Sequence, residues 1–175
     1  MNIVDPSRYT AELAKWRIER DEFFVGHYAT PLSDDAIERF TGIRYFDPDP
    51  RLVFETLLES ADIRIAIESS TGNTSEYPTA GTVCVPFVGG TVELHVLRGE
   101  DDDLFIPFRD ATSGATSYSG GRYVAVQRGD GDAVTIDFNK AINPYCAYDP
   151  DFSCPLPPAG NRLSFSVAAG EMDYR

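Results

Sequence analysis

From Ile43 onward, apolar residues recur at every second position in short runs broken by turn-forming residues. No other property of the chain constrains its fold as tightly, because successive side chains point to opposite faces only on a β-strand. The runs are Arg51 to Glu59, then Ile63, Ile65 and Ile67, then Val83, Val85 and Phe87, then Val92, Leu94 and Val96. Leu104, Ile106 and Phe108 follow, then Arg122 to Arg128, then Val134, Ile136 and Phe138, and lastly Leu163, Phe165 and Val167. Between them lie Asp47-Pro48-Asp49-Pro50, the hairpin signal Gly89-Gly90, the acidic stretch Glu100 to Asp103, and Gly129-Asp130-Gly131-Asp132. Eight or nine strands at roughly ten-residue spacing predict a mainly β antiparallel meander with one face buried. Twisted strands in that number curl, and closure removes exposed edges. A barrel or half-barrel is therefore expected, with a β-sandwich as the alternative.

The first 42 residues have a different period. Asp5 can cap a helix whose first residue is Pro6, and Tyr9, Leu13, Trp16 and Phe23 recur at helical spacing up to a stop at Gly26. Ser33 caps a short second helix, with Asp34 and Asp35 in its first turn and an end at Gly42. A length of 175 residues suits one domain, read as a helical segment over 1–42 and a β domain over 43–175.

Charge narrows the surroundings. Fifteen basic residues against 28 acidic ones leave a net charge of −13, and only Lys15 and Lys140 are lysines. Asp outnumbers Glu 17 to 11, and 13 of the cations are Arg. A carboxylate-rich, lysine-poor surface predicts a halophilic, archaeal-type cytoplasm, where a Debye length of roughly 3 Å near molar salt screens self-repulsion. The alternative is an acidic surface that recruits cations or a basic partner. Such a charge repels nucleic acid. No apolar run is long enough to span a membrane, and Met1 to Gly26 carries charges throughout, unlike a secretory leader. Cytoplasmic location is expected.

Candidate chemistry gathers on the late strands. Thr135, Asp137 and Asn139 alternate with Val134, Ile136 and Phe138, and Arg109, Asp110, Arg122 and Asn143 lie at ends or polar faces nearby. Such a set could line a barrel mouth and hold a small polar or anionic ligand, since Arg forks carboxylate or phosphate and Asn both donates and accepts. The structural alternative pairs Asp137 with Arg122 or Arg109 and uses the Asn side chains to hold a long loop. Cys146 and Cys154 have seven residues between them in a proline-rich loop and read as buried free thiols, a disulfide or redox pair, or, least of all, metal ligands. No metal site is expected. His27 and His95 lie in no ligand motif, and Asp101-Asp102-Asp103 and Asp130-Gly131-Asp132 lack the spacing of a calcium loop. There is no nucleophile elbow, zinc-protease helix or phosphate-binding glycine loop.

Longer strings in the second half carry a resemblance. Asp110-Ala111-Thr112-Ser113-Gly114, Tyr118, Gly120-Gly121-Arg122-Tyr123 and Asp137 to Tyr148 are the core of it. Cys154-Pro155-Leu156-Pro157-Pro158, Asn161-Arg162-Leu163 and Ala169-Gly170-Glu171 follow, and Thr30-Pro31-Leu32 and Phe40 to Phe46 extend it toward the N-terminus. Together they resemble the bacterial and archaeal family catalogued as domain of unknown function 1684. The resemblance brings no activity with it, and adds Tyr118 to the candidate ligand set. Ser117 and Gly160 stand where that pattern carries Glu, and Ile142 where an aromatic is common, so chemistry resting on those glutamates is not expected here. The favoured reading is a small-molecule-binding or accessory barrel for a polar or anionic ligand, with the cofactor undefined. The alternatives are a hydrolase or transferase using paired carboxylates such as Asp110 and Asp137, and a structural or partner-binding protein.

Overall fold

The computed structural model describes residues 5–174. Residues 1–4, which belong to the sequence reading of Met1 to Gly26, and Arg175 lie outside the described residues. Helix α1 (Pro6–Gly26) starts as the sequence dictates: the Asp5 carboxylate accepts from the Ser7 N–H, and Pro6 occupies the first turn. Helix α2 (Asp34–Glu38) is capped by Ser33, whose hydroxyl accepts from the Ala36 N–H. It ends at Glu38, short of the expected Gly42. Among the described residues, no helix is long and apolar enough to cross a membrane.

Seven strands follow: β1 (Val53–Ser60), β2 (Arg64–Glu68), β3 (Thr74–Phe87), β4 (Gly90–Arg98), β5 (Leu104–Phe108), β6 (Arg122–Arg128) and β7 (Ala133–Asp137). They pair antiparallel in the order β1-β7-β6-β5-β4-β3-β2, and β1 also pairs with β3. The extra pairing closes six strands into a barrel and leaves β2 outside, attached to the first half of β3. A ring, not two stacked sheets, is the outcome.

Closure depends on two strands that each serve two partners. Val53–Leu57 of β1 pair with β7, and Leu58–Ser60 pair with Gly81–Val83 of β3. Register on β3 shifts between Thr79 and Gly81, where the strand bends from β2 toward the barrel. Gly81 has φ +135°, and a Cβ there would run into the Glu59 carbonyl. Only glycine lets the two backbones meet so closely.

Inside the ring, Val83, Val85, Leu94, Val96, Ile106, Phe108, Val124, Val126, Val134 and Ile136 form one apolar core. The alternation in the sequence is what sorts these residues inward. The hairpin between β3 and β4 turns on Val88 and Gly89, one residue earlier than the Gly89-Gly90 signal implies, with Phe87 opposite Gly90.

Among the described residues the expected count of eight or nine strands is not reached, for identifiable reasons. Leu163, Phe165 and Val167 do not form a strand, although Leu163 and Val167 are buried and the residues between them are more exposed. Their segment runs beside Arg109 to Ala111 with only one parallel bridge, Arg109 to Arg162. The Leu163 N–H donates to the Arg109 carbonyl and the Phe165 carbonyl accepts from the Ala111 N–H, but at Val167 the Asp110 carboxylate takes the N–H at 2.6 Å and Arg122 the carbonyl at 2.8 Å. Residues 43–46 contribute only a single bridge, Tyr45 to Glu171. Ile63, 51% exposed, sits before β2 and outside the barrel. A second apolar cluster, built on Phe24, Leu32, Ala147 and Tyr148, joins the helical segment to the C-terminal loops.

Candidate functional site

The polar residues singled out by sequence do not converge on one space. Arg122, the first residue of β6, lies on the same buried face as Val124 and Val126, and Asp110 is buried beside it. Arg122 is fully buried, donates to the carbonyls of Ala169, Glu171 and Val167, and lies 3.4 Å from Asp110. Its guanidinium also stacks over Phe108 and Phe46. Burial pulls its pKa down, and the Asp110 and Glu171 carboxylates oppose that. Asp110 accepts from Thr112 Oγ1 at 2.9 Å and from the Val167 N–H, and Thr112 shares a 2.7 Å hydrogen bond with Ser117. Ser117, where the resembled pattern has Glu, is thus part of a closed network.

Asp137 pairs with neither Arg122 nor Arg109. Its carboxylate accepts from the Tyr9 hydroxyl at 2.9 Å and from the Asn139 N–H at 3.0 Å, tying α1 to the end of β7. Burial and the neighbouring Asp137 charge push the Tyr9 hydroxyl's pKa up. Asn139 acts as a second backbone: its Oδ1 accepts from the Asp49 N–H at 2.7 Å and its Nδ2 donates to the Asp49 carbonyl at 2.8 Å. Asn143 donates through its N–H to Glu171 at 2.6 Å and through Nδ2 to the Met172 carbonyl at 2.8 Å. Arg109 bridges through its backbone to Asn161 and Leu163. Tyr118 donates to the Cys146 carbonyl at 3.4 Å. Asp110 and Asp137, the carboxylates considered for acid–base work, share no hydrogen bond.

A cavity of about 800 Å³ lies elsewhere, between α1 and the outward face of β5 and β6. That volume is within the range of small-molecule sites. Because Ile106, Val124 and Val126 belong to the core, Phe105, Tyr123, Ala125 and Gln127 face outward. Phe105 and Tyr123 pack with ring centroids 5.1 Å apart and planes tilted by 45°, and form an aromatic floor. Trp16 and Arg20 of α1 line the opposite wall, with Ile142 and Lys140 contributed by the loop after β7.

Charges at this cleft are unevenly spent. Arg20 donates through Nε to the fully buried Glu171, which also accepts from the Tyr148 hydroxyl at 2.9 Å. Burial pulls the Arg20 pKa down, but the Glu171 charge and hydrogen bond more than restore it. Burial and the Glu171 charge push Tyr148 up. Arg20 Nη2 is buried with no hydrogen-bond partner among the described residues. Arg128 lies 3.5 Å from Asp102 at the rim, whose carboxylate is held below the usual range chiefly by its hydrogen bond from Arg98. Lys140 forms no ion pair among the described residues. No cluster of metal-ligating side chains occurs among the described residues.

Sequence reasoning overlooked Trp16, Arg20 and Gln127, because the cleft forms on the outer face of strands whose inner face dominates the pattern. Lys140 was the available signal: a rare lysine in an arginine-based chain, within the string from Asp137 to Tyr148.

A family model described as protein of unknown function (DUF1684) matches residues 38–172. The solution NMR structure of an uncharacterized protein from Haloarcula marismortui is similar over 96% of both chains, with 37% identity and a TM-score of 0.73. No curated protein matches.

Proposed function

The chain belongs to the family of proteins of unknown function DUF1684, and on that premise we propose, from the chemistry of the cleft, that it is a small-molecule-binding barrel for an organic monoanion. The ligand's apolar or aromatic body lies against Phe105 and Tyr123, and its negative group meets Lys140. The observation that carries this reading is Lys140 itself, a cation without an ion pair on a largely apolar wall of a chain with net charge −13.

Charge accounting sets the class. Glu171 neutralises Arg20, and Asp102 is shared by Arg128 and Arg98. Lys140 is therefore the cation lining the cleft that has no ion pair among the described residues, although Asp103 at the rim brings the formal balance to zero. Asp102 and Asp103 at the rim repel a multiply charged group such as a polyphosphate. A carboxylate or sulfonate on a ring fits both the charge and the floor. A hydrolase or transferase working through Asp110 and Asp137 finds less support, since each carboxylate is occupied by its own donors.

Trp16 lines the cleft and is the chain's one tryptophan, so its fluorescence reports on this space alone. Titration with 1-naphthoate is expected to quench it saturably, and the uncharged 1-naphthalenemethanol is expected to bind more weakly. Lys140→Gln should weaken naphthoate by about tenfold, the equivalent of one modest ion pair in a partly desolvated site, without changing the melting temperature. Equal affinity in Lys140→Gln, or no saturable quenching, would overturn the reading.

A further inference from the structure

Cys146 and Cys154 take no part in the cleft, yet they are arranged as a pair. A 3₁₀ turn over Tyr145–Ala147 directs the Cys146 N–H to the Cys154 sulfur at 3.4 Å, which brings the two cysteines together. Cys154 is clamped through its backbone: its N–H donates to Ser70 Oγ at 3.0 Å and its carbonyl accepts from the Ser70 N–H at 2.8 Å. The Tyr118 hydroxyl donates to Cys146 Sγ at 3.7 Å. Both cysteines are buried and free, whereas Cys84 is exposed.

We propose that Cys146 and Cys154 are a reversible peroxide-responsive modification site that closes to a disulfide. Cys146 sulfur attacks one oxygen of hydrogen peroxide. The S–O bond forms, the O–O bond breaks, and the departing hydroxide takes the thiol proton and leaves as water. Cys154 sulfur then attacks the Cys146 sulfenic acid: the S–S bond forms, the S–O bond breaks, and a second water carries off the second proton. Two thiols lose two electrons together, and one peroxide gains them.

The division of labour follows from the hydrogen bonds. Cys154, chiefly, with help from Ser70 and Tyr118, pulls the Cys146 thiol down to about 6 against the effect of burial. The neighbouring Cys146, together with burial, pushes the Cys154 thiol up. Thiolate character on Cys146 makes it the attacking group, since the thiolate is the nucleophile. Cys154, held against it, is placed to resolve the intermediate rather than to start the reaction.

The full chain is treated with stoichiometric hydrogen peroxide, unfolded in an alkylating agent and weighed. The expected product has lost two hydrogens, carries a single alkyl group on Cys84, and regains all three reactive thiols after dithiothreitol. Digestion should yield one peptide pair linked between Cys146 and Cys154. In Cys154→Ser, dimedone should trap a sulfenic acid on Cys146. Three alkylated cysteines after peroxide, or first oxidation at the exposed Cys84, would overturn the proposal. The wild-type mass alone decides this if the variant fails to fold.

Discussion

Arg20 and Glu171, separated by 151 positions in the chain, form an ion pair in which Glu171 is fully buried and the Arg20 side chain is 14% exposed. The pair fastens α1 to the C-terminal segment, with Tyr148 and Asn143 completing the carboxylate's donors. Removing only one partner strands the other in an apolar setting. Glu171→Ala is expected to cost about 3–5 kcal/mol in urea unfolding at fixed salt. The double variant Arg20→Met with Glu171→Met should recover much of that loss, because two charges then no longer need desolvation. A double variant no more stable than Glu171→Ala would show that the pair matters through shape instead.

Gly81 is the position where barrel closure meets backbone geometry. Gly81→Ala combines a left-handed φ with a collision against the Glu59 carbonyl. The expected loss is on the order of 3 kcal/mol, strain and overpacking combined. Hydrogen exchange should locate it: the amides of Leu58 to Ser60 and Gly81 to Val83 lose protection before those of the β5–β6 pairing.

Self-repulsion predicts a salt-dependent fold. Raising KCl from about 0.1 M to about 1 M shortens the Debye length from roughly 10 Å to roughly 3 Å, and the melting temperature of this chain of net charge −13 should rise with it. A nonionic osmolyte at equal osmolality should give a smaller gain. Equal gains would assign the effect to hydration rather than to charge.

The thiol pair adds a pH signature with a defined sign. Cys146 is pulled down from an ordinary 9.0 to about 6, so between those values the folded thiol has lost a proton that the unfolded chain retains. Stability from this group is therefore present above the unfolded value and lost as pH falls through about 6. Cys154 is shifted upward, which reverses the slope above the ordinary thiol value. The stability difference between wild type and Cys146→Ser should grow from pH 6 toward 9. Thiolate absorbance near 240 nm should show a step near pH 6 that is missing in the variant.

Local order was legible where a rule acts within a few residues. The Asp5-Pro6 start of α1, the Ser33 cap, and the alternating runs of β4 to β7 read directly from the chain. The late segment departs from a strand for a physical reason. Leu163 and Val167 are buried in alternation with more exposed neighbours, and Leu163 and Phe165 bond the backbone of Arg109 and Ala111. Asp110 and Arg122, however, take the N–H and carbonyl of Val167, and the pairing stops at one bridge. Alternation reports which side chains are buried, not what the amides bond to. The polar residues of the late strands read equally as a ligand set or as groups that hold loops, and letters alone do not choose: Asn139 spends its amide on Asp49 and Arg122 donates to the C-terminal carbonyls.

By itself, the amino-acid order determined the strand faces, the helix starts and the heavy negative charge, because each depends on residue type and short spacing. The folded chain alone decided that six strands close into a ring, that Glu171 meets Arg20, and that Trp16, Lys140 and Tyr123 border one cleft. Those relations join positions far apart in the chain, and their energies depend on burial and approach that no local spacing encodes.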